Sequence, residues 1–288
     1  MTGTDARAGL GAVPHGGAPR RAYLDEILAR KRVEVGRRLR HQGALARVAA
    51  ELPLDAERGR RALAALRRPA GQSRPGIIAE IKFKSPSVGS IRPPAPGTAA
   101  ALAQAYQRGG AAAVSVLADG PGFGGSPLTV RRVARACSAP VLFKEFVLHP
   151  LQVELARVCG ASMVLLLVRA HALGPLQSLC DDVRRAGMEP VVEAADEEEL
   201  AVALRTDATL VGVNARDLRT FDVDMERAAR CLDQVDASRV AIFMSGIRTP
   251  TDFARLGGTR ADAALIGEGL MRCEDPAAGV RAMLETTI

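Results

Sequence analysis

Residues 140–168 read PVLFKEFVLHPLQVELARVCGASMVLLLV. A short apolar run at 140–143 opens the stretch, a segment with helical spacing occupies 151–159, and a second apolar run fills 162–168. Strand, helix and strand in so few residues suit a βα repeat in a parallel sheet. The same alternation extends in both directions. Runs rich in Val, Ile and Leu recur at 77–81, 112–117, 189–192, 210–213, 240–244 and 263–266, which makes eight with the first two. Their starts lie 21 to 35 residues apart, and helical segments fit between them at 98–108, 128–136, 173–185, 197–205 and 249–255. Eight such units in roughly 210 residues predict a closed (β/α)8 barrel, the TIM-barrel architecture. An open, doubly wound sheet shares this local pattern and is the alternative.

Ahead of the repeats, residues 22–41 place Leu24, Ile27, Leu28, Val35 and Leu39 at helical spacing, and 55–68 form a second Ala/Leu/Arg-rich helical stretch ended by Pro69. The expected organisation is a tail at 1–20, a helical extension at 21–74 and the barrel at 75–288. The tail is rich in Gly, Ala, Thr and Pro and has no continuous apolar segment, so it is expected to be disordered and not a signal peptide.

Composition narrows the class. Of 288 residues, 48% are hydrophobic and 25% charged, an ordinary globular balance. No apolar run approaches the ~18 residues of a membrane span. Five scattered cysteines with no CxxC or HExxH argue against a disulfide framework or a structural zinc site, and suit reduced thiols in the cytoplasm. Net charge is +7, but residues 1–74 hold 16 Lys+Arg against 7 Asp+Glu, while the remainder holds 23 against 25. Solvated Arg-rich helix faces account for this better than a nucleic-acid footprint, because no Trp and only two Tyr leave little on which to stack bases. Lysine is rarer still: 35 of 39 basic residues are Arg, and the lysines are Lys31, Lys82, Lys84 and Lys144. Where such a chain keeps Lys, a compact ammonium or a transferable proton is the expected reason.

In a barrel, catalytic side chains stand at the C-terminal ends of the strands. The first run ends with Glu80 and Lys82, two apart and so on one face. The third ends at Lys144 and Glu145, the fifth at Glu193, and the sixth at Asn214 with Arg216 just beyond. Carboxylates and ammoniums that converge in one mouth tune each other for acid–base work. The seventh ends at Ser245-Gly246 and the eighth at Gly267, where backbone N–H groups can approach a phosphate. One motif competes. Residues 120–125, GPGFGG, match GxGxxG, with Glu145 20 residues further on, and a dinucleotide-binding oxidoreductase is the runner-up reading. Against it, the glycines begin three residues after the strand, and Ser126-Pro127 looks like the N-cap and first position of the next helix.

Taken together, IIAEIKFKSPSVGSI (77–91), SVLADGPGFGGS (115–126), VLFKEFVLHPLQV (141–153), ASMVLLLV (161–168), EPVVEAADEEEL (189–200), VGVNARDL (211–218), SGI (245–247) and LIGEGLM (265–271) resemble the signatures of the indole-3-glycerol phosphate synthase family, in order and with similar spacing over about residues 22–275. LDEILARKR resembles the family's extra helix before the barrel. The resemblance implies a (β/α)8 lyase of tryptophan biosynthesis. It converts 1-(2-carboxyphenylamino)-1-deoxyribulose 5-phosphate to indole-3-glycerol phosphate, releasing carbon dioxide and water, with no metal or organic cofactor. Lys144 resembles the general acid on the ketone and Glu193 the base for dehydration. Lys82, Glu80 and Asn214 resemble the set that holds the substrate and shares in proton transfer. Ser85, Phe123, Phe146, Arg216, Leu218 and Ser245 resemble pocket residues, and Gly246, Gly267 and Glu268 the phosphate end. The implied partner is a small phosphorylated, anthranilate-derived substrate, with neither nucleic acid nor membrane; a monomer is the expected state. The chain departs from the pattern at Met244, where the family commonly has Glu before SGI. That leaves the mouth one carboxylate short, which is expected to lower the proton affinity of Lys82 and Lys144. Val88 stands for a frequent Lys. His149 and Ala195 stand where Asp and His are usual, in expected structural roles.

Overall fold

The computed structural model describes residues 21–86, 88–217 and 222–287; the expected tail and Leu218 lie outside them. Eight parallel strands close into a barrel: β1 (Gly76–Ile81), β2 (Ala113–Leu117), β3 (Val141–Lys144), β4 (Met163–Leu167), β5 (Glu189–Ala194), β6 (Leu210–Asn214), β7 (Val240–Met244) and β8 (Ala263–Ile266). The circle shuts where β1 pairs with β8, Gly76 opposite Ala263, so the open sheet is excluded. Period-two alternation sorts the side chains. Ile77, Ala79 and Ile81 pack outward against helices, while Ile78, Leu142, Met163, Val191, Leu210, Val240 and Ile242 fill the interior.

Helices α1 (Arg21–Leu39), α2 (Gln42–Glu51) and α3 (Arg58–Leu66) precede the barrel; α4 (Thr98–Gly109) follows β1; α5 (Gly120–Phe123) and α6 (Pro127–Ala136) follow β2. Then come α7 (Pro150–Val158), α8 (Leu173–Arg185), α9 (Glu197–Arg205), α10 (Met225–Leu232), α11 (Pro250–Ala254), α12 (Glu268–Met271) and α13 (Pro276–Glu285). α3 plugs the bottom of the barrel. Ala62 and Leu66 join the interior core, and Gly59 sits so close to the Met188–Glu189 backbone that a Cβ would come within 2.8 Å of Met188 C. α1 covers the opposite end. Helices α2, α10 and α13 were not anticipated from the sequence. In α2 only Ala49 is buried, and no side chain caps its start, so neither an apolar stripe nor a cap announces it.

Local chemistry fixes the other boundaries. His149 Nδ1 accepts from Leu151 N at 3.1 Å as the N-cap of α7, the structural role expected of it. Ser126 caps α6 with Pro127 at its first position. The GPGFGG loop is no pyrophosphate cradle. Residues 120–123 coil into α5, whose Gly122 N–H is spent on the Asp119 carboxylate at 2.8 Å. A side chain at Gly125 would collide with the Leu117 carbonyl, so that glycine serves its own strand end.

Candidate active site

Strand pairing carries the reactive side chains further into the barrel than the sequence suggested. Lys144, Glu193 and Asn214 are ladder residues, opposite Leu117, Leu167 and Met244 in turn. Inward-facing positions at the C-terminal ends therefore meet around one cleft of about 910 Å3, its open mouth included. Glu80, Lys82, Ser85, Phe123, Lys144, Phe146, Glu193, Asn214, Arg216 and Ser245 all line it. These are ten of the residues expected at the site.

The charges interlock. Lys144 Nζ lies 3.3 Å from Glu193 Oε2, and Asn214 Nδ2 donates to Glu193 Oε1 at 2.9 Å. Asn214 is held in turn, its Oδ1 accepting from Arg216 N at 3.0 Å. Lys82 Nζ lies 2.9 Å from Glu80 Oε1. Burial alone would weaken the hold of Lys144 on its proton, but Glu193 and Glu80 outweigh it and hold the ammonium above its ordinary range. With Met244 in place, Lys144 is still flanked by two carboxylates. Glu80 is the mirror case. Burial pushes its carboxyl up, and Lys82 and Lys144 more than reverse the effect. Its Oε2 is buried without a hydrogen-bond partner, an acceptor open to a substrate donor.

Apolar surface encloses these charges. Phe123 and Phe146 form a tilted ring pair with centroids 6.2 Å apart. Met244 is buried on the floor, its thioether lying over Gly212, where any side chain would displace it. Leu117, Leu165, Leu167 and Leu265 complete the base, and Tyr23, Leu24 and Ile27 of α1 form a wall. The contribution of α1 was missed, although its i, i+3, i+4 spacing was visible; spacing shows that a helix has an apolar face but not what that face covers.

Glycine and arginine collect at one rim. Ser245 is the one non-glycine with positive φ among the described residues (69°), and Gly246 follows at 86°. Gly267 abuts Glu80 and Lys82: a Cβ there would lie 2.6 Å from Glu80 Oε1 and 3.2 Å from Lys82 Nζ. Gly246, Gly267 and Glu268 stand behind the lining, and the Glu268 carboxylate turns to Arg272 Nε at 3.1 Å. Burial and the nearby Arg248 guanidinium pull Arg216 below its ordinary pKa range. Arg248 had no sequence signal; the turn after β7 brings it there.

A family model described as indole-3-glycerol phosphate synthase matches residues 24–283. A protein of that name from Aromatoleum aromaticum is 41% identical over 267 residues, covering 90% of this chain and 98% of the relative. Indole-3-glycerol phosphate synthase 2 of Streptomyces coelicolor is 41% identical over 267 residues, covering 91% and 98%. Among solved structures, tryptophan synthase subunit alpha from Legionella pneumophila aligns with a TM-score of 0.56 at 14% identity, over 78% of this chain and 96% of that one, a likeness of fold alone. With the signature residues converging in one barrel mouth and the match running nearly end to end, the chain belongs to the indole-3-glycerol phosphate synthase family.

Proposed function

We propose that Lys144 and Glu193 are the acid and base with which this chain carries out its family's reaction, while Glu80, Lys82 and Asn214 hold the substrate between them. One observation carries this reading: the Lys144 ammonium sits between two buried carboxylates beside an apolar, ring-walled pocket. The aromatic carbon that bears the substrate carboxylate attacks the ribulose ketone. As the new C–C bond forms, the carbonyl oxygen gains charge and takes a proton from Lys144. The C–CO2 bond then breaks and its electron pair restores the aromatic ring. Loss of the carboxylate charge is favoured where Phe123 and Phe146 exclude water. Finally the hydroxyl departs as water with a proton from a lysine ammonium, and Glu193 takes a proton from the adjacent carbon.

Arg216 and Arg248 repel each other, a cost that a bound phosphate dianion would relieve. With the Ser245–Gly246 and Gly267 backbone, they support a phosphate site at that rim. Glu268 closes it from its pairing with Arg272. Ser85 and Ser245 are assigned to contacts along the sugar and aromatic ring. Five free thiols suit a reducing compartment, and among the described residues no helix is long and apolar enough to cross a membrane. We take the cytoplasm as the site of action and the monomer as the working unit. The test is to add the anthranilate-derived ribulose phosphate to the purified protein and follow indole fluorescence with carbon dioxide release. One equivalent of each per substrate consumed is expected; consumption with neither would overturn the reading.

A further inference from the structure

Lys31 is one of four lysines beside 35 arginines, and it does not line the cleft. It is nonetheless buried, 1% exposed, on the face of α1 that turns to the barrel. Its Nζ lies 2.7 Å from Glu34 Oε2, 3.0 Å from Glu145 Oε1 and 3.1 Å from Asp119 Oδ1. Each acceptor belongs to a different part of the fold: α1 itself, the segment after β3 and the segment after β2. Asp119 is fully buried and also receives Arg30 Nη2 at 3.1 Å. Glu34 is shared with Arg38, whose Nη2 lies 2.8 Å away. The two guanidiniums and one ammonium thus balance three carboxylates.

Each anchored segment bears on the cleft. Asp119 caps the turn that carries Phe123, and Glu145 accepts from Phe146 N at 2.8 Å while following Lys144 directly. On α1, Ile27 and Leu24 stand four and seven residues before Lys31, on the same helix face, and line the cleft with Tyr23. We propose that Lys31 is a positioning residue for the reaction. Its ammonium ties Asp119 and Glu145 to α1, seating Tyr23, Leu24 and Ile27 as one wall of the pocket and holding Phe123 and Phe146 beside it, a role that rests on reading the cleft as the substrate site. Three acceptors converge on one point, which a compact ammonium with three protons can serve. A planar guanidinium spreads its donors over a larger area, so an arginine-rich chain keeps lysine here.

The experiment compares Lys31→Met and Lys31→Arg with the parent by steady-state kinetics, melting temperature and trypsin cleavage within α1. In Lys31→Met, KM rises at least about tenfold with kcat within about threefold, the signature of lost substrate binding, and the α1 arginines are cut faster than in the parent. A lower melting temperature with parental KM would make Lys31 a structural ion pair only and overturn the proposal. Should Lys31→Met fail to fold, Lys31→Arg decides: a raised KM supports positioning, and parental kinetics overturn it. A parent that turns over no substrate would instead refute the reading of the cleft, so the two failures are separable.

Discussion

Lys144 and Glu193 meet across a strand that supplies neither of them. Nζ of Lys144, the last residue of β3, lies 3.3 Å from Oε2 of Glu193 on β5, with β4 running between. Barrel curvature makes this contact, because inward side chains of alternate strands reach the same layer. An ammonium held this firmly is a poor acid at rest. It becomes a useful one only when negative charge develops on an oxygen beside it, which is what attack on a ketone produces.

Replacing the ammonium should therefore remove the chemistry and leave the barrel. Lys144→Met is expected to lower turnover by ~10²–10⁴, the usual cost of losing a general acid. Lys144→Arg should fail as well, because guanidinium does not give up its proton. Circular dichroism checks the fold and indole fluorescence the rate. Parental turnover in either variant would remove Lys144 from the role.

Phosphate binding gives a second outcome. Inorganic phosphate should raise the melting temperature by binding the folded state. Gly267→Val should shrink that rise, since its Cβ would fall 2.6 Å from Glu80 Oε1 and block approach to the backbone. Arg248→Ala, at an exposed position, should shrink it too and raise KM with little change in kcat. An undiminished rise in both variants would put the anion elsewhere.

The barrel and most of the cleft were legible because both rest on period-two and βα patterns. Glu80 and Lys82 could be placed on one inner face by counting, and Lys144, Glu193 and Asn214 by their position at the ends of apolar runs. What escaped was whatever depends on distant packing. The wall built by Tyr23, Leu24 and Ile27 needs α1 to lie over the mouth. The burial of Lys31 needs Asp119 and Glu145 to arrive from two other segments. Arg248 comes to Arg216 only through the turn after β7. The GPGFGG motif, kept only as the runner-up, proves structural, since its glycines answer to Asp119 and the Leu117 carbonyl.

Glu145 should write a pH signature on stability. Burial pushes its carboxyl up to about 7, against the pull of Lys31 and the Phe146 N–H. The unfolded chain releases that proton near 4.5. Between those values the folded protein binds a proton that the unfolded chain does not, so this group's contribution favours folding below about 4.5 and declines as pH rises to about 7. Glu145→Gln, which keeps an oxygen for Phe146 N, should flatten that part of the curve. Denaturant titrations at pH 5 and 7.5 measure it, and equal slopes for parent and variant would refute the assignment.

Met244 allows the electrostatics of the mouth to be varied by one charge. The parent mouth holds Lys82 and Lys144 against Glu80 and Glu193, already balanced. Met244 packs over Gly212, and Gly212 is the ladder partner of Glu193, so a carboxylate at 244 would be introduced on the Glu193 side. Lys144 is already held above its ordinary range by two carboxylates; a third should move the alkaline limb of the rate profile little. The larger effect falls on the anionic substrate, which meets a mouth one negative charge richer. Met244→Glu should therefore raise KM, while the uncharged Met244→Gln leaves it in place and reports any packing loss. Turnover against pH and against substrate concentration for the three proteins separates the cases. A KM shared by all three would mean that residue 244 acts on the pocket only as volume.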